Sequence, residues 1–115
     1  MQTGRVFIEL PSFTAFLKSE RIDDALLRQL QIDIIRGGGE RIVGAGGLKK
    51  IRWKAAHSGK SGSLRAVFAD YEDRGVCVLV MAYRKNVRDD LSAAEVAEIR
   101  RLKEQLDRAV RRGGE

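Results

Sequence analysis

The sequence contains very little of several residue types on which many protein functions depend. Its 115 residues include one cysteine, one histidine and one proline. A single cysteine, Cys77, cannot form an intrachain disulfide or a cysteine-based metal site, and its apolar neighbours favour a small core residue. The histidine, His57, has no acid nearby in the sequence, which argues against a metal centre and against a serine triad. We therefore expect no metal and no other cofactor.

The sequence also lacks a long apolar run. The longest one extends from Val76 to Tyr83, whereas a membrane-spanning helix needs about 20 apolar residues. The first residues do not show the apolar stretch and cleavage site of a secretory leader. With 43% hydrophobic and 33% charged residues, the chain is typical of a globular protein. We expect a single cytoplasmic domain over residues 1–115, with no membrane partner.

Acidic residues are absent from one long segment. Residues 41–69 contain seven lysines or arginines and no aspartate or glutamate, while the remainder has 15 cations against 16 acids. The net charge of +6 therefore comes from this segment. Its cations are Arg41, Lys49, Lys50, Arg52, Lys54, Lys60 and Arg65. Concentrated positive charge attracts a polyanion and releases its counterions, so nucleic acid is the first partner to consider.

The first third of the chain predicts a strand and two helices. An apolar run at 6–8 favours a strand, and residues 12–17 space their apolar side chains along one face of a short helix. Asp23 is a suitable cap for a second helix, which recurs in apolar residues every three or four positions. Gly37 permits the left-handed conformation that ends this helix.

The rest of the chain predicts three strands and a final helix. Alternation or apolar composition favours strands at 48–54, 63–71 and 75–83. The spacing of Ser92 and Glu95 is that of a capping box, and an apolar stripe follows it. The order β, α, α, β, β, β, α predicts an α+β fold. We expect an antiparallel or mixed sheet of about four strands, two N-terminal helices packed on one face, and a C-terminal helix.

One predicted strand has an apolar and a cationic face. Ile51 and Trp53 point to one side. Lys50, Arg52 and Lys54 point to the other. Trp53 could stack on a nucleic-acid base, but its alternation with Ile51 favours core packing.

Two glycine-rich stretches do not have the spacing of nucleotide-binding loops. The sequence Gly59-Lys60-Ser61 has Lys54 where a P-loop requires its first glycine. Residues 44–49 have a lysine at the third glycine position of the dinucleotide fingerprint, and a strand follows them where a helix is required. Neither stretch predicts a bound nucleotide cofactor.

Cations alone can support the cleavage of RNA. The reaction needs a base for the 2′-hydroxyl, positive charge for the pentacoordinate phosphate, and an acid for the departing 5′-oxygen. A lysine among other cations loses its proton more readily, while arginine stays charged and holds phosphate oxygens. The candidates are Lys50, Arg52, Lys54, Lys60 and Arg65. The same surface could hold nucleic acid without cleaving it, and His57 is either an acid for the leaving group or an exposed residue without a role.

Three motifs together resemble the RelE/HigB family of bacterial type II toxins, and the HigB-like branch of the RelE/ParE superfamily in particular. The motifs are Gly46 to Trp53, Gly59 to Arg65, and Tyr83 to Asn86 with Leu91-Ser92. The resemblance extends from Phe7 to the final helix. It implies a compact microbial-RNase-like fold and a ribosome-dependent endoribonuclease, an mRNA interferase. Such toxins cut messenger RNA at the decoding site, without metal, by attack of the 2′-hydroxyl on the adjacent phosphate.

The resemblance also implies roles for individual residues. Arg65 corresponds to the arginine that stabilises the transition-state phosphate. Lys50 and Arg52 correspond to basic residues of the preceding strand, Lys60 to the basic residue of the glycine loop, and Lys85 to the lysine after the last strand. The catalytic candidates are thus Arg65, Lys85, Lys60, Lys50, Arg52 and His57, and the RNA-binding candidates are Lys49, Lys54, Arg84 and Asn86. Which lysine is the base and which group is the acid stays open.

The implied partners are a cognate antitoxin, typically a helix-turn-helix DNA-binding protein, and the ribosome with its messenger RNA. Operator DNA would be bound only through the antitoxin complex. Two alternatives remain: a ParE-like poison of DNA gyrase, and an RNA-binding module without enzymatic activity. The cationic strand face with Arg65 and Lys85 argues against the ParE-like alternative.

Overall fold

A computed structural model describes residues 4–54, 63–85 and 90–113, apart from the side chains of Lys54 and Ser63. The elements in chain order are β1 (Val6–Glu9), α1 (Pro11–Ser19), α2 (Asp24–Ile35), β2 (Glu40–Arg41), β3 (Lys49–Lys54), β4 (Ser63–Tyr71), a 3-10 turn (Glu72–Arg74), β5 (Val76–Arg84) and α3 (Ala93–Gly113). No helix within these ranges is long and apolar enough to cross a membrane.

The strands of the described residues form one mixed sheet in the order β1-β5-β4-β3-β2. β1 runs parallel to β5, and the other neighbours are antiparallel. The predicted α+β class and mixed sheet are confirmed, with five strands where the sequence indicated about four. The additional strand, β2, has two residues, which is too short for alternation to be recognised.

The predicted capping signals are formed at both ends of α2 and at the start of α3. The N–H of Leu26 donates to Oδ1 of Asp23 at 2.9 Å, which caps α2. After α2 the chain turns at Gly37, whose φ is 91°. At α3, the N–H of Glu95 donates to Oγ of Ser92 at 3.1 Å, and the N–H of Ser92 donates to Oε1 of Glu95 at 2.9 Å. The capping box is therefore formed.

Helices cover both faces of the sheet. The face toward α1 and α2 buries Phe13, Leu30, Ile34, Ile51, Trp53, Leu64, Ala66, Phe68, Cys77, Leu79 and Ala82. The face toward α3 buries Ile42, Ala45, Leu48, Val67, Ala69, Tyr71, Val78, Val80, Tyr83 and Ile99. The alternation predicted for β3 and β4 is confirmed, because consecutive residues fall into different cores.

Trp53 and Cys77 are core residues, as their neighbours predict. The Trp53 side chain is 2% exposed, its ring stacks on Phe13 with 5.8 Å between centroids, and its Nε1 donates to the carbonyl of Leu26 at 3.0 Å. Trp53 is therefore not positioned to stack on a nucleic-acid base. Burial of Cys77 raises the pKa of its thiol to about 12.

Polar contacts around Tyr71 fix α3 to the sheet. The Tyr71 hydroxyl donates to Oδ1 of Asp107 at 2.7 Å, and Nζ of Lys103 donates to the same oxygen at 2.8 Å. Lys103 also donates to the carbonyl of Gly46 at 3.3 Å. Burial opposes ionisation of Asp107, but the bonds from Lys103 and Tyr71 hold its pKa below the usual value. These contacts join α3 to β4 and to the loop before β3.

Candidate nucleic-acid interface

Two arginines and a tyrosine stand side by side on the sheet face that packs against α3. Arg52 on β3 is opposite Arg65 on β4, and Arg65 is opposite Tyr83 on β5. Directly opposite residues of antiparallel strands share a face and have Cβ atoms about 5 Å apart. The three side chains therefore form a row across three neighbouring strands, which we call the arginine row.

The arginine row lies at the margin of the area that α3 covers. Arg52 is exposed and Arg65 is half-buried, whereas Tyr83 is 5% exposed. One guanidinium nitrogen of Arg65, Nη1, donates to the carbonyl of Leu64 at 3.2 Å. The two positive charges thus reach solvent beside a buried aromatic ring.

The arrangement of Arg52 opposite Arg65 is electrostatically unfavourable in the free protein. Like charges directly opposite each other in a sheet are destabilising. Within the described ranges, neither arginine forms an ion pair with a carboxylate. A bound anion would relieve the repulsion, and the planar guanidinium forks match the geometry of a phosphate.

Lys50 precedes the arginine row on the same face and is held by an acid from a distant part of the chain. Its Nζ lies 3.2 Å from both carboxylate oxygens of Asp90. Asp90 also accepts hydrogen bonds from the N–H of Leu91 at 2.9 Å and from the Tyr83 hydroxyl at 3.4 Å. The Leu91 N–H, and after it Lys50, lower the pKa of Asp90, although burial opposes them. Asp90 therefore links Lys50 to the tyrosine of the arginine row.

The segment 41–69 has no acids in sequence, but the fold brings acids to it. Asp90 arrives from the residues before α3, and Glu40 on β2 is opposite Lys50 on β3. Among the described side chains on this face of β3 and β4, Arg52 and Arg65 are the cations that form no ion pair with a carboxylate.

The structure brings only some of the other predicted residues to this surface. Lys85 is half-buried and comes two residues after Tyr83, at the same end of the sheet as the arginine row. Alternation places Lys49 and Arg84 on the opposite face. There Arg84 forms an ion pair with Glu20 at the end of α1, with Nε 2.8 Å from Oε1. Lys49 and Arg84 are therefore separated by the sheet from the arginine row.

Four predicted residues fall wholly or partly outside the described residues. Lys60, His57 and Asn86 lie outside them, and of Lys54 only the backbone, at the end of β3, is described. Their predicted roles stay predictions.

Asp90 and the hydroxyl of Tyr83 are the members of this surface that the sequence did not indicate. The sequence favours core packing for Tyr83, and its ring is indeed buried, but the hydroxyl reaches Asp90. Asp90 is 40 positions from Lys50, so no local pattern links the two. The available signal was an acid two residues before Ser92, where the capping box of a helix begins.

The surface combines groups that bind phosphate with groups that transfer protons. Two guanidinium groups can hold a phosphodiester, and an ammonium, a phenol and a carboxylate lie beside them. Within the described residues, no group of three or more His, Cys, Asp and Glu side chains is arranged to hold a metal ion.

A protein-family model matches almost the whole chain. Residues 4–112 match the family described as RelE toxin of RelE / RelB toxin-antitoxin system. The matched range begins before β1, ends in the last turn of α3, and includes the arginine row, Lys50 and Asp90.

Proposed function

Because this chain belongs to the RelE toxin family, it is a toxin of a toxin-antitoxin system, and we propose that it is a ribosome-dependent endoribonuclease. In this proposal it cuts messenger RNA at the decoding site, without metal, and so inhibits translation in the cytoplasm. The HigB-like motifs of the sequence add the proposal that it belongs to that branch of the family.

The observation that carries this proposal is the Arg52–Arg65 pair. A phosphodiester between the two strands would meet two guanidinium groups on one face of the sheet. The structure tolerates the repulsion of this pair at the edge of the area covered by α3. Residues that disfavour folding but fit a ligand are typical of binding and catalytic sites.

The reaction proposed for this surface is an internal phosphoryl transfer. A base removes the proton of a 2′-hydroxyl, the 2′-oxygen forms a bond to the adjacent phosphorus, and the bond from phosphorus to the 5′-oxygen breaks. An acid then protonates the 5′-oxygen. The products are a 2′,3′-cyclic phosphate and a 5′-hydroxyl. Arg65 and Arg52 stabilise the charge that develops on the phosphate oxygens.

Proton transfer is assigned to the groups beside the arginine row. Lys50 and Lys85 are candidates for the base or the acid, together with Lys60 and His57. We add Asp90 as a positioning residue, because its carboxylate holds both Lys50 and the Tyr83 hydroxyl. RNA that enters the site has to compete with Asp90 for Lys50.

The test is the cleavage of messenger RNA by Arg65→Ala compared with Arg28→Ala. Arg28 is an exposed residue of α2, on the other side of the sheet from Arg65. Each variant is expressed briefly in bacteria, and new RNA 5′ ends are mapped. We expect wild type and Arg28→Ala to cut translated messages in codon register. Arg65→Ala should lose roughly 100- to 1,000-fold in cleavage rate, as removal of one transition-state stabiliser does.

Other outcomes would identify the alternatives. Growth arrest with DNA damage and without new RNA ends would favour a ParE-like gyrase poison. Binding to ribosomes or RNA without any cleavage would favour a non-enzymatic module. Cuts that persist unchanged in Arg65→Ala would contradict the role of the arginine row.

The family implies an antitoxin as partner. We propose that this antitoxin is a helix-turn-helix DNA-binding protein, and that the toxin approaches operator DNA only as part of their complex.

A further inference from the structure

Lys50 lies between two carboxylates that come from other parts of the fold. Its Nζ is 3.2 Å from both carboxylate oxygens of Asp90. On its other side, Glu40 of β2 is directly opposite Lys50, and such residues share a sheet face with Cβ atoms about 5 Å apart. The Lys50 side chain is 25% exposed, so solvent screens these charges only in part. Two acids therefore act on one ammonium group.

The cations of the same face are farther from Lys50 than these acids are. Arg52 follows two positions along β3, which is about 7 Å. Arg65 is a diagonal neighbour at about 7 to 8 Å, and the residue directly opposite Lys50 on β4 is the apolar Val67. Coulomb energy varies inversely with distance, so a charge at about 7 Å has roughly half the effect of the Asp90 carboxylate. The acids therefore outweigh the arginines at Lys50.

The Asp90 carboxylate is itself held in place beside Lys50. It accepts hydrogen bonds from the N–H of Leu91 and from the Tyr83 hydroxyl, and its lowered pKa means that it is ionised at neutral pH. A neighbouring negative charge favours the charged form of a lysine, whereas a base has to be uncharged before it can accept a proton. The sequence indicated a lysine base because cations adjoin Lys50, but the fold supplies the opposite surroundings.

We propose that Lys50 exchanges no proton in the reaction and acts as a fixed positive charge, which Asp90 and Glu40 maintain as positioning residues. The inference rests on the proposed ribonuclease function. In this reaction Lys50 stabilises the charge that develops on the phosphate oxygens, and another group accepts the proton of the 2′-hydroxyl. β3 and β5 run in the same direction, so Lys50 precedes the arginine row and Lys85 follows it. A base such as Lys85 would therefore lie on the far side of the row from both acids.

The first experiment compares RNA cleavage by Lys50→Arg and Lys50→Gln. Arginine keeps the positive charge and does not lose its proton, whereas glutamine removes the charge. We expect Lys50→Gln to lose roughly 100- to 1,000-fold in cleavage rate, and Lys50→Arg to cleave at least about tenfold faster than Lys50→Gln. The pH profile of Lys50→Arg should keep the limb that rises as the base loses its proton. Equal losses in the two variants, or loss of that limb, would overturn the proposal.

The second experiment tests Glu40 through its coupling to Lys50. At mildly alkaline pH, Glu40→Gln should lower kcat, because Lys50 loses one of its acids, and should also lower KM, because less negative charge repels the RNA. In a Lys50→Arg background kcat should not fall further, since arginine stays charged without an acid. The control is Glu72→Gln, an exposed glutamate beyond the other end of β4, which should cleave like wild type. The same fall in kcat in both backgrounds would refute the role of Glu40.

Nuclear magnetic resonance of the wild-type toxin gives a readout that does not depend on cleavage. The signal of the Lys50 side-chain nitrogen is assigned by its absence from the spectrum of Lys50→Arg. We expect it at the chemical shift of an ammonium group at mildly alkaline pH, and a shift typical of a neutral amine would overturn the inference. A toxin that cuts no RNA would instead refute the proposed function, and the spectrum would still determine the charge of Lys50.

Discussion

Replacement of Arg52 by glutamine should stabilise the free protein while it reduces activity. Arg52 and Arg65 are directly opposite across β3 and β4, and such like-charged pairs destabilise a sheet by roughly 0.2 to 1 kcal/mol. For a domain of this size, 1 kcal/mol corresponds to about 4 °C in melting temperature. We therefore expect Arg52→Gln to melt about 1 to 4 °C above wild type in a buffer of low ionic strength.

Salt should remove most of this gain. The Debye length falls from about 10 Å at 0.1 M ionic strength to about 3 Å at 1 M, so salt increasingly screens the repulsion between the two charges. Arg101→Gln is the matched control, because it removes the same charge from an exposed site on α3. In sequence, Arg101 lies three residues from both Glu98 and Glu104. Such i,i+3 pairs of opposite charge stabilise a helix weakly, so this control should gain no stability.

With phosphate present, we expect wild type to become more stable than Arg52→Gln. A ligand that binds only the folded state at ten times its Kd adds about 1.4 kcal/mol, and wild type offers it one more guanidinium than Arg52→Gln. Calorimetry of wild type, Arg52→Gln and Arg101→Gln, with and without phosphate, measures both effects. RNA cleavage by Arg52→Gln should be much slower than cleavage by wild type. If Arg52→Gln melts no higher than wild type at low salt, the two side chains do not repel each other and the reasoning fails.

Three further predictions concern single side chains. The pKa of Asp107 is lower in the folded protein than in the unfolded chain. The ionised carboxylate therefore stabilises the fold above about pH 4, and this contribution is lost as the pH falls through the pKa of the folded state. Asp107→Asn should therefore be about 1 kcal/mol less stable than wild type at neutral pH, and the difference should shrink as the pH falls below about 4; a constant difference in thermal melts would contradict this. Because Cys77 is buried, a thiol reagent should modify it only as fast as the protein unfolds, and rapid labelling of native protein would refute its core position. Asp90→Asn should bind RNA more tightly and cleave it about tenfold more slowly with an altered pH profile, since Lys50 loses its carboxylate; a change in melting temperature alone would mean a structural role.

The strand faces could be predicted from sequence because alternation in a strand has a fixed period. Ile51 and Trp53 enter one core and Arg52 lies on the other face, as their parity requires. The same parity places Lys49 with Ile51, away from Lys50. Strand parity is thus a stronger guide to shared surfaces than proximity in sequence.

Contacts between distant segments could not be predicted in this way. Asp90 reaches Lys50 across 40 residues, and its position depends on where α3 begins. The element order did not specify which face α3 would cover, because either face of the sheet had apolar residues to bury. The two-residue strand β2, which brings Glu40 opposite Lys50, had no recognisable pattern.

The parallel pairing of β1 with β5 has a consequence for the order of folding during synthesis. Val6 is paired with Val76, so among the described strands β1 remains without its neighbour until β5 has been made. α3, which follows, covers one core and carries the Lys103 and Asp107 contacts to the sheet. Contacts between residues so far apart form late and slowly. A nascent chain whose β5 has not yet been made therefore cannot pair β1 with β5. A chain that ends before residue 76 should not fold. We therefore expect the sheet of this toxin to close only after β5 has left the ribosome.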